Sequence, residues 1–317
     1  MSVPTARPGG DGADGHRQPV HVPVLLAETL ALLDLRPGLT VVDGTVGAGG
    51  HAAAIARALG PDGFLIGLDR DSEILACARA ALAASAKTTP EQARVELHHV
   101  SFSHVQEALA AAGQAACDRL LLDLGVSSLQ LDKAERGFSF MADGPLDMRM
   151  DPAAPVSAAD WLAAVDEGEL ARVLFEYGDE RFARRIARAL VAARRVGAIA
   201  RTGQLAELIV RALPPHARRQ RIHPATRSFQ AIRMAVNDEL GELERALQAA
   251  LRCVRPGGRI AVIAFHSAED RIVKNFVRAH CLAVTKKPVT ATAAEVAANP
   301  RARSAKLRCA IVREGAA

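Results

Sequence analysis

The stretch VVDGTVGAGGH, Val41 to His51, decides the fold. A short apolar run ends in Asp43, and four glycines follow within the seven residues Gly44 to Gly50. Next comes GHAAAIARAL (Gly50–Leu59), apolar at helical spacing. A strand, a glycine turn and a helix in that order put backbone N–H groups and a helix N-terminus at the carboxyl end of a sheet. Within the turn, GAGGHA (Gly47–Ala52) fits the loose dinucleotide pattern G-x-G-x-x-A, and Asp69 lies 20 residues after Gly49, where a ribose-binding acid is expected. Taken alone, this match serves a nicotinamide enzyme as well as any other.

Asp43 shifts the balance. A carboxylate at the first strand tip repels a pyrophosphate but suits an amino group. S-adenosylmethionine has no phosphate; it carries an ammonium group, a sulfonium and a ribose diol. Acids at the first two strand tips, Asp43 and Asp69, match that ligand. The plainer alternatives are that Asp43 caps the turn and Asp69 caps the next helix.

Outward from the turn, apolar runs alternate between strand and helix patterns. GFLIGLDRD (Gly63–Asp71) reads as a strand, SEILACARAALAA (Ser72–Ala84) as a helix, RVELHHVSF (Arg94–Phe102) as a strand, VQEALAAAG (Val105–Gly113) as a helix, and CDRLLLDLG (Cys117–Gly125) as a strand. Such alternation means βαβ units and a parallel sheet covered on both faces. The next strand, GRIAVIAF, begins near Gly258, and the residues between are mostly helical in pattern. The spacing therefore predicts a helical domain inserted between two strands of one sheet. A last strand, AKLRCAIVR (Ala305–Arg313), is expected to pair antiparallel with HCLAVTK (His280–Lys286). The expected division is a disordered tail over 1–18, a first core part over 19–134, the insertion over 135–223 and a second core part over 224–317.

Composition narrows the class. Half of the 317 residues are hydrophobic, enough for a sizeable core, yet no apolar run approaches the length of a membrane span. The N-terminal MSVPTARPGGDGADGHRQP lacks the apolar stretch of a secretory signal. Five scattered cysteines without a CxxC pair predict buried thiols in a reducing cytoplasm, with neither a disulfide frame nor a metal site. The net charge of +5 is unevenly placed: Gly178 to Arg233 holds 13 arginines, no lysine and three acids. Arginine suits bidentate phosphate contact, although an arginine-rich solvated helix face is the plainer reading. Only Phe182 and Phe229 are aromatic there, so a stacking platform for several bases is not supported.

Composition does not account for LLDLGVSSLQLDKAERGFSFMADGPLDMRMD (Leu121–Asp151), dense in small, polar and charged residues at the sheet's carboxyl edge. This segment closely resembles the ribosomal small-subunit RNA methyltransferase H (RsmH, or MraW) family. HVPVLLAE from His21, DGTVGAGGH, GDERFARRIARAL, HPATRSFQAIRMAVNDEL, FHSAEDRIVK and NPRARSAKLR extend the resemblance, in order, over nearly the whole chain after the tail. Departures are small: Leu129 stands where the family usually has proline, and Ala264 and Ala268 where it has serine and leucine.

The resemblance implies a class I S-adenosylmethionine-dependent methyltransferase, Rossmann-like, that methylates N4 of a cytidine in the decoding region of 16S rRNA within the small ribosomal subunit. It implies cofactor contacts at Gly49, Gly50, His51, Asp69, Phe102, Asp123 and Gln130. Phe102 as ordinary core and His51 as a solvent-facing helix residue are the alternatives. An exocyclic cytosine amine is a poor nucleophile, so the site should offer acceptors to the N4 protons. Asp123, a nearby backbone carbonyl, or both can serve, and His266 with Ser267, Glu269 and Asp270 forms a second candidate cluster. Arg184, Arg185, Arg188, Arg227 and Arg233 are the candidate RNA contacts. No step needs a metal. A nicotinamide oxidoreductase, a non-catalytic assembly factor, and a methyltransferase acting on DNA or a small molecule are the competing classes; the last lacks the insertion motifs.

Overall fold

The structure is a computed structural model that describes residues 23–219 and 222–315. The expected tail lies outside the described residues. The strands are β1 (Thr40–Asp43), β2 (Phe64–Asp69), β3 (Arg94–His99), β4 (Cys117–Asp123), β5 (Val254–Ala264), β6 (Cys281–Ala283) and β7 (Lys306–Val312). They form one sheet in the order β3-β2-β1-β4-β5-β7-β6. The first five run parallel, and β7 lies antiparallel between β5 and β6. The alternation and the late strand pair predict this sheet, and it is the class I methyltransferase architecture that the resemblance implies.

The apolar strands are continuous because both faces are covered. Alternate side chains point to opposite sides. Val42, Ile66, Leu120 and Leu122 pack under α4 (Val105–Ala111), α11 (Glu239–Cys253) and α12 (Ser267–His280). Val41, Leu65 and Leu121 pack against α1 (Leu26–Leu33), α2 (Gly50–Leu59) and α3 (Ser72–Thr88). The strand order reverses at β1 and β4, where Asp43 pairs with Leu121 and Gly67. Loops part at such a switch point and leave a crevice beyond the strand ends.

The insertion has its own core. After the short α5 (Ser128–Asp132) come α6 (Ala158–Ala164), α7 (Glu167–Glu176), α8 (Ala183–Arg194), α9 (Thr202–Ala212) and α10 (Thr226–Val236), with α13 (Ala293–Ala298) much later. Leu162, Leu174, Ile186, Leu190 and Ile209 meet Phe138, Leu146 and Met148 in one apolar cluster. Phe229 and Ile232 of α10 belong to that cluster, whereas Leu243 and Leu247 of α11 pack on the sheet. The packing thus divides the chain near Asp238, where a left-handed backbone (φ 46°) separates α10 from α11. The expected limit at 223 falls one helix earlier, because an amphipathic pattern shows that a helix buries one face but not which core it meets.

Candidate active site

The glycine turn is tied to both strands flanking β1. Gly44 N–H donates to Leu121 O (2.9 Å) and Val46 N–H to Leu68 O (2.9 Å). Gly49, the residue before α2, has φ +89°, and a Cβ there would stand 3.4 Å from the α3 backbone at Ala78. The left-handed backbone calls for glycine, while the space beside Ala78 would admit a Cβ in ordinary contact.

Three carboxylates converge on this turn from the tips of β1, β2 and β4. Asp43 is buried; its Oδ1 accepts the Thr45 N–H (3.1 Å), and its Oδ2 has no partner among the described residues. Burial raises its pKa to about 6, against the pull of His51 and the Thr45 N–H, with the charges of Asp123 and Asp69 adding to the rise. At Asp69, Oδ1 accepts the Asp71 N–H (2.9 Å) and Oδ2 the Gly47 N–H (3.1 Å). Burial raises this acid too, to about 6, although those two bonds oppose it. Asp123 N–H donates to Thr45 Oγ1 (2.6 Å). Its Oδ2 lies 3.4 Å from His51 Nδ1, and its Oδ1 is a buried acceptor without a partner among the described residues.

His51 is buried with both ring nitrogens engaged, Nδ1 toward Asp123 and Nε2 toward Val24 O (3.2 Å). Burial disfavours its charge, yet the Asp123 hydrogen bond and the Asp123 and Asp43 charges outweigh that and raise its pKa above the ordinary value. Its side chain therefore orients Asp123. Gln130 is held in the same way. Its Oε1 accepts the Ser127 N–H (2.9 Å) and its Nε2 donates to Asp71 Oδ2 (2.8 Å), so both ends of the amide are engaged inside the protein. Phe102 is partly buried against the sheet's core, and its Cβ lies 3.0 Å from where a Cβ on Gly44 would stand. It therefore borders the turn while keeping one side in the core.

Sequence reasoning missed the group that joins these pieces. Asp71 is fully buried and caps α3 through the N–H groups of Glu73 and Ile74. Its other oxygen accepts from Gln130 and from Arg136 (2.8 Å), and the same guanidinium also donates to Arg149 O and Met150 O. Asp71 thus fastens the loop after β4 to the β2 tip. An acid before a helix signals a cap, but nothing local signals an arginine 65 residues later.

The donor set decides which ligand fits. Clustered carboxylates, two with a bare buried oxygen, suit a ligand with a positive charge, N–H donors and hydroxyls, and they repel a phosphate. S-adenosylmethionine has those groups; a nicotinamide dinucleotide carries a pyrophosphate. Asp43 and Asp123 would face the charged part, Asp69 the diol and Phe102 the adenine. Against this geometry, a profile of the MraW methylase family matches residues 18–313. The chain belongs to that family. It is 52% identical over 311 residues to ribosomal RNA small subunit methyltransferase H of Symbiobacterium thermophilum, covering 92% of this chain and 96% of that one. The corresponding protein of Geobacter sulfurreducens is 51% identical, with 92% and 98% covered. Among solved structures, an rRNA methylase from Streptococcus thermophilus matches at 10% identity and a TM-score of 0.42 over 93% of this chain and 98% of that one, too distant to add to the assignment. The methyl donor of this MraW methylase is S-adenosylmethionine.

Of the remaining expected residues of the methylase, His266 and Arg227 lie at a second opening. His266 caps α12, with Nδ1 accepting the Glu269 N–H (3.5 Å). Its Nε2 is 3.0 Å from Glu269 Oε1 but is not aligned for a hydrogen bond. It lines a cleft of about 350 Å³ with Arg227, Ser267 and residues near the C-terminus. The five expected arginines separate. Arg184 and Arg188 share the exposed face of α8, where Arg184 has no partner among the described residues and Arg188 is 3.6 Å from Glu167. Arg185 donates to Ala212 O at the end of α9, and Arg227 reaches Asp179 O (3.3 Å). Arg233 overturns its expectation: its side chain is 14% exposed and forms a two-pronged pair with Glu239 (2.7 and 2.8 Å), so RNA cannot reach it. The charge run concealed this because a count of arginines carries no information about burial.

Proposed function

We propose that this methylase transfers the methyl group of S-adenosylmethionine to N4 of a cytidine in the decoding (P-site) region of 16S rRNA, acting on the small ribosomal subunit in the cytoplasm. The reading is carried by the likeness to the two rRNA methyltransferases, which runs over more than nine-tenths of every chain compared. The site chemistry supports it. The cofactor supplies an electrophilic methyl group on a sulfonium. As the N4–methyl bond forms, the methyl–sulfur bond breaks with its electron pair left on sulfur as the neutral thioether, and the nitrogen gains positive charge and must shed a proton. Asp123 Oδ1, buried and unpartnered beside the turn, is an acceptor for one N4 hydrogen, and His51 and the Thr45 hydroxyl hold that carboxylate in place. A preorganised acceptor aimed at developing charge lowers the barrier without reorganising. The target base must be unpaired or turned out of its stack to reach it. Tritium transfer from labelled S-adenosylmethionine to unmodified 30S particles, followed by nucleoside analysis, tests the reading. Label in N4-methylcytidine is expected; label elsewhere or none would overturn it.

A further inference from the structure

The cleft beside His266 is assembled from five separate parts of the chain, among them the Tyr177–Asp179 segment after α7 and Thr290. Arg227 and Gln230 come from α10, Phe265 to Ser267 from the end of β5, and Arg303 to Lys306 from the segment entering β7. Three cations line it, Arg227, Arg303 and Lys306, against one acid, Asp179. The Asp179 Oδ2 accepts the Ser267 hydroxyl (2.7 Å), and its backbone carbonyl accepts from Arg227. Arg303 is exposed and has no partner among the described residues. Lys306 is held only loosely, 3.4 Å from Asp270, because Arg308 binds that carboxylate at 2.7 Å. The cleft also receives the N-terminus of α12, a 14-residue helix whose first backbone N–H groups carry partial positive charge. His266, whose side chain is only 10% exposed, also lines the cleft, with its Nε2 3.0 Å from Glu269 Oε1. Phe265 connects this opening to the transfer site: its ring lies 3.7 Å from where a Cβ on Gly125 would stand, two residues after Asp123.

We propose that this cleft grips a phosphodiester of the RNA strand beside the target nucleotide, with Arg227, Arg303 and Lys306 as its cations. The assignment rests on the rRNA reading above. Two guanidinium forks and a helix N-terminus match a phosphate, and a neighbouring base turned toward Asp123 brings its own backbone to this wall. The arginines of α8 then serve more distant stretches of RNA.

The test uses the full chain with Arg227→Glu and Arg303→Glu, on 30S particles and on protein-free 16S rRNA. Each substitution should raise the KM for RNA about 10- to 100-fold, as loss of a charged hydrogen-bond partner does. Each should also flatten the log–log salt dependence of RNA binding by about 0.7 to 0.9 per lost phosphate contact. Cofactor affinity by calorimetry should not change, which also verifies folding. Arg303→Lys should recover part of the loss. Unchanged KM and salt slope in both glutamate variants would overturn the proposal. A loss on 30S particles but not on protein-free RNA would also overturn it, since the occupant would then be an acidic protein segment. If the wild-type chain methylates no rRNA, the functional reading fails by itself. The cleft is then tested by direct binding of a 16S-derived oligonucleotide, where equal affinity of wild type and Arg303→Glu counts against it.

Discussion

Asp43 and Asp69 make cofactor binding sensitive to pH. Both have pKa values raised to about 6 from 3.8, so the folded chain without ligand holds these protons more tightly than the unfolded chain. Each acid therefore subtracts stability increasingly as pH rises from about 4 to 6. A bound cation favours the ionised forms and reverses this. Cofactor affinity should consequently fall as pH drops below about 6, by up to about tenfold per pH unit for each acid that must ionise. Calorimetry at pH 6 in buffers of different ionisation enthalpy should register proton release on binding; a constant affinity from pH 5 to 8 would contradict it. His51 acts in the opposite sense. Its raised pKa adds stability that is fully present below the ordinary 6.5 and is lost as pH climbs through the raised value. At Asp123 the expected outcome is kinetic. Asp123→Asn keeps the size and removes the charge, so turnover at saturating cofactor should fall about 100-fold or more. Wild-type turnover at saturation would leave Asp123 with cofactor binding alone.

At the scale of elements, the Asp71 junction joins α3, α5 and the loop after β4. Asp71 and Arg136 are both buried, and breaking a buried ion pair from one side leaves an uncompensated charge. Arg136→Met should lower the unfolding free energy by about 3 kcal/mol or more, read as a lower urea midpoint at constant slope. Gln130→Leu should cost about 1 to 3 kcal/mol, since Asp71 keeps its other donors. Both should weaken cofactor binding, because the Asp71 N–H holds Asp69. A wild-type midpoint for Arg136→Met would refute the junction's structural role. The elements themselves were largely legible. Strong periodicity marked the first four strands and their helices, and the glycine turn located the switch point. The junction was not legible, because Asp71 and Arg136 meet only after the loop following β4 folds back on α3.

Across the whole molecule, the 13 arginines of one stretch admit two readings in sequence, phosphate contact and a solvated helix face. The structure distributes them among different tasks. Arg194 donates to Leu162 O and Val165 O at the end of α6, Arg218 to Leu213 O, and Arg233 closes a buried pair, while Arg184 and Arg188 remain on an open face of α8. Reversing Arg184 and Arg188 together should weaken RNA binding and reduce its salt slope by up to about 2 while sparing cofactor affinity. Arg233→Met should do the reverse, costing about 3 to 5 kcal/mol of stability with an unchanged salt slope. Titrations of a 16S-derived RNA at several salt concentrations separate these outcomes; equal slopes for wild type and the α8 variant would make that face a solvated one.

Residue order alone determined the sheet's parallel core, the turn that approaches a ligand, the acids at its first two strand tips and the family. These depend on local period, turn chemistry and motif spacing, which are all short-range along the chain. Tertiary structure alone decided that α10 belongs to the insertion, that His51 and Gln130 turn inward as supports, that Arg233 is buried, and that Arg303 stands with Arg227 and His266 in one cleft. Each of these depends on which surfaces meet once strands 4 and 5 close beside each other across the insertion. Burial and partner choice are properties of that packing, and a pattern of residue types along a chain does not contain them.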